Sequence, residues 1–203
     1  RLSQKKYYDS IEEARRNAIT TAIGYLDKAD SEFSASSFTN LGSAWLEVAE
    51  FLDKPIEIEY PIGSLKRENL YSLIKLKFAD YIQRIDIKPS VQNLNVKIFF
   101  DKDQSFTVSC LDKKTDNPIK NIPIIGRLDA KGKDKGSITD NNGKVDFHLN
   151  RITAKSGNQT YHIRVDLSSL INESVIALAP LSYPGTQVNI SITGPGIYVD
   201  AKE

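Results

Sequence analysis

The stretch "SITDNNGKVDFHLNRI", residues 137–152, has the pattern of a tight turn that leads into a β-strand. Asp, Asn and Gly supply the residue types that tolerate turn geometry. Val145, Phe147 and Leu149 then alternate with polar residues, which is the period of a strand with one apolar and one polar face. The stretch therefore predicts a hairpin, and the first question is whether its turn also binds a ligand.

The turn lacks the ligand set of a calcium loop. Such a loop places oxygen ligands at alternating positions and closes with an acidic residue. Asp140 and Asn142 fit the alternation, but the next alternate position is Lys144, a cation, and no glutamate follows within the loop. Gly143 suits the positive φ of a tight turn. We predict a structural turn and no metal site.

The same alternation recurs from residue 90 onward. Strand-like runs, separated by Gly- or Asn-containing turns, cover Leu94–Ile98, Phe106–Cys110, Ile122–Ile124, Val145–Leu149, Tyr161–Leu167 and Val188–Ile192. Six to eight short strands in roughly 110 residues predict an antiparallel β-sandwich. Residues 168–185 break the rhythm and predict a helical turn and loop, and Ile197 and Val199 predict a last strand.

Residues 1–89 follow the helical period instead. Three helices are predicted from apolar stripes at Ile11–Tyr25, Leu41–Leu52 and Leu70–Ile85. Ser10 and Glu13 have the spacing of a capping box for the first helix, and Ser64 can cap the third. A short strand is predicted at Ile56–Tyr60, where apolar residues alternate with glutamates.

These periods predict an α+β protein with two domains, a mainly helical domain at 1–89 and an antiparallel β-sandwich at 90–203. The chain has 203 residues with 27 Lys and Arg against 26 Asp and Glu, a net charge of +1. Neither domain has a cluster of basic residues, so we predict no nucleic-acid partner. No apolar run approaches the roughly 20 residues that span a bilayer.

Side chains capable of catalysis are few and scattered. Cys110, the only cysteine, falls on the apolar face of its strand and is predicted to be buried. His148 and His162 fall on polar faces; neighbouring strands could bring them together, and a zinc site would then need two more ligands. Glu57 and Glu59 share one face of a short strand, which suits either glycosidase chemistry or solubility.

No arrangement among these side chains amounts to an active site. A Ser-His-Asp arrangement stays open, because geometry defines it, but the sequence has no nucleophile-elbow signature. Trp45 sits in a helical stripe and is predicted to be core. We predict no catalytic, cofactor-binding or metal-ligating residues, and we predict that the protein is not an enzyme.

The stretch "AKGKDKG", residues 130–136, has three lysines and two glycines. A phosphate-binding loop of this kind would lead into a helix and carry a Lys-Ser/Thr pair. This stretch leads into a strand, so we interpret it as a solvated hairpin tip.

The segment "NPIKNIPIIGRLDAKGKDKGSITDNNGKVDFHLNRI" resembles a pattern found in bacterial envelope proteins, the Ig-like or transthyretin-like modules of invasin-type and carboxypeptidase-regulatory-type repeats. The matching residues are Pro118, Asn121, Pro123, Thr139, Asp140, Gly143 and Val145. In those modules they build the fold and form no shared active site, so the resemblance implies an Ig-like β-sandwich without a catalytic role.

The order of elements is similar to that of the lipoprotein-twenty type of outer-membrane lipoprotein. The corresponding stretches are "ARRNAITTAIGYL", "FLDKPIEIEY", "ENLYSLIKLKFADYI" and residues 91–203. The resemblance implies export to the periplasm or outer-membrane surface. The lipidated cysteine of that family is absent from this chain, so a membrane contact would run only through an anchor upstream of it.

These expectations combine into a functional hypothesis. We expect a non-catalytic, secreted cell-envelope protein that acts as a structural or protein-binding module and needs no cofactor. Its expected partner is another envelope protein or surface component. The alternative is a carbohydrate- or surface-binding accessory or adhesin module, for which Tyr161, Tyr183, Tyr198 and Phe147 are the aromatic candidates.

Overall fold

A computed structural model describes residues 2–98, 102–129, 132–150, 152, 154–171, 175 and 182–194. The chain divides into two compact units. The helical unit comprises Arg1–Arg84 with Leu167–Ser182, and the sheet unit comprises Ile85–Asp166 with Tyr183–Glu203. The units differ from the predicted ranges in two ways. Ile85–Pro89 belongs to the sheet unit, and Leu167–Ser182 belongs to the helical unit although it comes late in the sequence.

The helical unit contains three α-helices and one small sheet within its described residues. Their bounds are α1 Leu2–Ser31, α2 Ala35–Val48, β1 Glu57–Glu59, β2 Arg67–Asn69 and α3 Leu70–Arg84. A 3-10 turn at Ala49–Phe51 extends α2, and β1 pairs antiparallel with β2. No helix within these residues is both long and apolar enough to cross a membrane.

The predicted helix starts are wrong. Helix α1 begins at Leu2, so Ser10 lies inside it. The Ser10 hydroxyl donates to the Tyr7 carbonyl at 2.7 Å, as serine side chains within helices often do with a preceding carbonyl. Helix α3 begins at Leu70, where Asn69 Oδ1 accepts from the Ser72 amide at 3.0 Å. Ser64 is part of the preceding turn instead.

Helix α3 also ends earlier than predicted. Ile85, assigned from the sequence to the helical stripe, is the first residue of a strand and pairs with Asp112. Ile85 and Ile87 are both buried on one face of that strand. The change from helical to strand period therefore falls between Arg84 and Ile85, before the predicted boundary at Pro89.

The sheet unit contains eight strands with described bounds. They are β3 Ile85–Pro89, β4 Asn93–Lys97, β5 Ser105–Asp112, β6 Pro123–Leu128, β7 Lys135–Ile138, β8 Lys144–His148, β9 Gly157–Val165 and β10 Gly185–Thr193. They form a three-stranded sheet, order β3-β5-β8, and a five-stranded sheet, order β4-β10-β9-β6-β7. The prediction of a wholly antiparallel unit is wrong, because β4 and β10 pair in parallel.

Alternation correctly predicted the inward faces of these strands. In β5, for example, Phe106, Val108 and Cys110 are all buried. Rings from both sheets meet in this core: Tyr161 of β9 lies 5.4 Å from Phe106 and 5.5 Å from Phe147 between centroids. Of the segment 168–185, Ser168 and Ser169 belong to a 3-10 turn at Leu167–Ser169, and Gly185 begins β10. The predicted strand at Ile197 and Val199 lies outside the described residues.

Candidate functional site

The Asp140 stretch forms the predicted turn. Asp140 Oδ1 accepts from the amides of Asn142 and Lys144, each at 2.8 Å. Gly143 has φ +67°, and a Cβ there would lie 2.5 Å from the Cys110 carbonyl oxygen. The carboxylate oxygen therefore stabilises the backbone of the turn, and the glycine allows β5 to approach.

Thr139, the residue before this turn, forms a buried latch. Its side chain is 1% exposed. The hydroxyl donates to the Ile119 carbonyl at 2.8 Å and accepts from the Ile122 amide at 2.9 Å. Thr139, Asp140 and Gly143, three residues of the Ig-like pattern, thus hold neighbouring segments together, which is a structural role.

The two histidines lie in different sheets. His148 belongs to β8 and lies 3.3 Å from Asp103, and both side chains are exposed. His162 belongs to β9, where it pairs with Arg127 and Gln187. The strands of the two histidines are not neighbours, so the predicted possibility of a shared metal is not realised. No group of three or more His, Cys, Asp or Glu able to hold a metal occurs within the described ranges.

The other residues that the sequence raised as candidates, Cys110, Trp45 and two of the aromatic residues, pack inside the fold. Cys110 is fully buried, and burial raises its pKa to about 12, so it is a thiol at neutral pH. Trp45 is 8% exposed and its ring lies 5.0 Å from Tyr71, as predicted for a core residue. Among the aromatic candidates for sugar binding, Phe147 and Tyr161 are buried.

Tyr183, the third of those aromatic candidates, is half-buried, and Tyr198 lies outside the described residues.

A cluster of hydrogen bonds around one carboxylate in the helical unit is not evident from the sequence. Asp30, at the end of α1, accepts from the Tyr60 hydroxyl at 2.7 Å and from Lys77 at 2.6 Å, both through Oδ2. Its Oδ1 accepts from the Tyr81 hydroxyl. We call these four residues the Asp30 clamp. Asp30 and Lys77 are 47 residues apart, so no local spacing reveals the contact.

The protonation states within the Asp30 clamp match these contacts. Burial acts to raise the pKa of Asp30, but hydrogen bonds from Lys77, Tyr81 and Tyr60 outweigh it and hold that pKa below its ordinary value. Burial, reinforced by the Asp30 carboxylate, raises the pKa of both tyrosines well above 10. The carboxylate is therefore ionised and both hydroxyls are donors, which is the state that joins α1 to α3.

An exposed apolar loop follows β1. In the Tyr60–Lys66 loop, Ile62 is 73% exposed and Leu65 is 88% exposed. Leu65 has φ +60°, a left-handed conformation that is uncommon for leucine. Glu59, one of the two glutamates considered for catalysis, accepts through Oε1 from the amides of Gly63 at 2.9 Å and Leu65 at 3.1 Å. Its carboxylate thus orders the loop.

The sheet unit contains a cavity of about 500 Å³ between its hairpin ends. Its apolar lining consists of Leu128, Leu149, Ile152, Ala154 and Tyr161. Its polar lining includes Asp129, Lys133, Lys135, Asn150, Lys155 and Gln159. We call it the lysine-rimmed cavity.

Two of those lysines come from the stretch that the sequence indicated to be a solvated tip. Lys133 and Lys135 are indeed exposed, but they also line the lysine-rimmed cavity. Lys155 lies in the loop before β9, and its carbonyl accepts from Gln159 Nε2 of that strand at 3.0 Å. The pairing of β9 with β6 brings the two loops together, and sequence spacing does not report such pairing.

No protein-family model matches the sequence, and no curated protein does. Distant solved structures share partial likeness. An endo-β-1,4-mannanase from Thermotoga petrophila has TM-score 0.33 and 7% identity over 55% of this chain, which spans only 20% of that enzyme. The CARDB domain of the PF1109 protein from Pyrococcus furiosus has TM-score 0.33 and 9% identity, covering 55% of this chain and 96% of that domain.

A third likeness is to WR4, an MSP family member of C. elegans, with TM-score 0.31 and 10% identity over 54% of this chain and 98% of that one. At these TM-scores none of the three assigns a fold family or an activity to this chain.

Proposed function

We propose that this chain is a non-catalytic module of the bacterial cell envelope that binds another protein through its Tyr60–Lys66 loop. The observation that carries the proposal is the exposure of Ile62 and Leu65, at 73% and 88%, on one ordered loop. Leucine in a left-handed conformation costs on the order of 1–3 kcal/mol, and such strain concentrates at binding sites. The two amide bonds to Glu59 hold the loop in this shape before any partner arrives.

The shape of the loop favours a protein partner with an apolar pocket. Ile62 and Leu65 project from a turn, so the receiving surface must be concave. Burying each side chain would contribute about 1.5–3 kcal/mol. A few such anchors, centrally placed, commonly supply most of the energy of a protein interface. The carboxylates of Asp30, Glu59 and Asp140 fit this view, because each accepts hydrogen bonds from its own unit.

We also propose that the sheet unit is an Ig-like β-sandwich and that the protein is exported to the periplasm or outer-membrane surface. Three observations support the sandwich: two sheets, inward rings in contact between them, and the Thr139 latch with its glycine turn. The resemblance to envelope modules supports the location. Osmotic-shock fractionation of cells expressing the complete gene tests it, and recovery in the cytosol would contradict the location alone.

Photo-crosslinking tests the binding site. A photoreactive amino acid replaces Leu65 in the full protein within its native cells, and Leu76, which is 65% exposed on α3, receives it in the control. We expect one discrete adduct at position 65 that is absent at position 76. Equal adducts at both positions, or none at 65, would contradict the proposal.

A binding measurement with the captured protein completes the test. Once that partner is identified and purified, Leu65→Ser should weaken its binding about tenfold to a hundredfold, because the loss of a buried leucine costs about 1.5–3 kcal/mol and each 1.4 kcal/mol is tenfold. Leu76→Ser should leave the affinity unchanged. A Leu65→Ser variant that binds as tightly as the original protein would show that the loop is not the anchor.

A further inference from the structure

The lysine-rimmed cavity combines an apolar floor with a basic rim, and this combination defines a ligand class. Leu128, Ile152 and Ala154 are half-buried and form the accessible apolar floor, while Leu149 and Tyr161 are 2% and 1% exposed and belong to the core of the sheet unit. Three lysines and one acid, Asp129, line the cavity. Its volume of about 500 Å³ falls within the 300–1,000 Å³ common for small-molecule sites.

We propose that the lysine-rimmed cavity binds a small amphipathic carboxylate, with its apolar chain on Leu128, Ile152 and Ala154 and its carboxylate among Lys133, Lys135 and Lys155. This site is separate from the Tyr60–Lys66 loop, which belongs to the helical unit. The proposal therefore does not depend on the protein-binding function above.

The ordering of the rim supports a built site. Lys135 Nζ donates to the His148 carbonyl at 3.3 Å, which holds its stem along the hairpin. Gln159 holds the backbone of Lys155 at 3.0 Å. The Asp129 amide donates to the Thr160 carbonyl at 2.7 Å, which fixes the backbone of Asp129 at the cavity wall. Lysine binds a carboxylate as a point charge, so several lysines can share one head group without a strict geometry.

The test uses three ligands that separate chain from charge: decanoate, decanol and acetate. Isothermal titration calorimetry with the full chain is performed below the micellar concentrations. We expect decanoate to bind at least tenfold more tightly than decanol, because only decanoate reaches the lysines, and we expect no measurable binding of acetate. Equal affinity for decanoate and decanol, or no binding of decanoate, would overturn the proposal.

Two sets of variants locate the site. The triple variant Lys133→Gln, Lys135→Gln and Lys155→Gln should weaken decanoate at least tenfold. A matched triple variant, Lys102→Gln, Lys113→Gln and Lys144→Gln, changes three exposed lysines of the same unit outside the cavity and should leave affinity unchanged. An equal loss in both sets would show nonspecific attraction and overturn the proposal.

A cavity-filling change and a vesicle control complete the test. Ala154→Trp should abolish decanoate binding by occupying the space, while Cys110 stays protected from thiol reagents, which shows that the unit remains folded. Binding of decanoate by a folded Ala154→Trp protein would overturn the assignment. Co-sedimentation with phosphatidylglycerol vesicles, without binding of monomeric decanoate, would identify a lipid surface instead and also overturn it.

Discussion

The helical unit and the sheet unit use different polar contacts to hold their elements together. The helical unit relies on a charged group, Asp30, that accepts from two tyrosines and a lysine. The sheet unit relies on a neutral hydroxyl, Thr139, and on a glycine with positive φ. A charged clamp responds to pH and a neutral latch does not, so the two units should respond differently to the same conditions.

The chain contains one probe for each unit. Its only tryptophan, Trp45, lies in α2 of the helical unit, and its only cysteine, Cys110, is buried in β5 of the sheet unit. Tryptophan fluorescence therefore follows the first unit, and reaction of the thiol with a disulfide reagent follows the second. Each prediction below can be measured in both units at once.

The largest effect is expected from Gly143→Ala in the sheet unit. The new Cβ would lie 2.5 Å from the Cys110 carbonyl oxygen, at φ +67°. We expect a loss of about 3 kcal/mol in the free energy of unfolding, since strain and overpacking add. Urea titration followed by Cys110 reactivity measures it, and Gly136→Ala, with open space around it, is the matched control. A loss under 1 kcal/mol would contradict the close approach of β5.

The next effect concerns the helical unit. Asp30→Asn keeps the size of the side chain but removes its charge, so Tyr60, Tyr81 and Lys77 lose an ionised acceptor. We expect a loss of about 2 kcal/mol, below the full cost of unsatisfied buried partners, because Asp30 is 37% exposed and water can replace part of its contacts. Urea titration followed by Trp45 fluorescence measures it. Asp9→Asn, at an exposed position of α1, should change stability by under about 0.5 kcal/mol.

A smaller effect is expected from Thr139→Val. Valine fills the same volume but leaves the Ile122 amide and the Ile119 carbonyl without their hydroxyl partner, at a cost of about 1–2 kcal/mol. Cys110 reactivity should report the loss and Trp45 fluorescence should not. Thr107→Val, which removes a surface hydrogen bond to Asp146, is the control and should cost less. Equal losses in the two variants would argue against the latch.

The smallest effect is a pH dependence that should separate the two units. The pKa of Asp30 is lower in the folded protein than its ordinary value, so its contribution is fully present above that ordinary value and is lost as the pH falls through the folded pKa. Between pH 7 and pH 3 the original protein should lose more stability in the Trp45 signal than Asp30→Asn does. Thr139→Val should leave the pH profile of the Cys110 signal unchanged. If the stability of Asp30→Asn fell with pH in parallel with that of the original protein, Asp30 would not be the group whose titration causes the loss.

Local patterns predicted those parts of the fold that depend on neighbours in the sequence. The alternation in β5 and the Asp140 turn are examples, since a turn and one strand face involve only a few consecutive residues. Helix starts were less predictable: both Ser64 and Asn69 are acceptable caps for α3, and only the contacts of the folded chain decide which one is used.

Contacts between distant residues could not be predicted in the same way. The Asp30 clamp joins positions 47 and 51 residues apart. The lysine-rimmed cavity exists because two loops lie at neighbouring strand ends, and Lys155 carries no local signal of its part in it. The lysines of residues 130–136 do not fit a phosphate-binding loop because no helix follows them, and the sequence around them does not show the apolar residues that other segments place beside them.

The parallel pairing of β4 with β10 has a consequence for synthesis of the protein. Asn93 and Asn189, paired across these strands, are 96 residues apart. A nascent chain emerging from the ribosome exposes β4 long before its partner exists, because contacts of such separation form late. The backbone groups of β4 that pair with β10 therefore stay unpaired until β10 has been synthesised. This makes β4 the segment where a co-translational chaperone would be most useful.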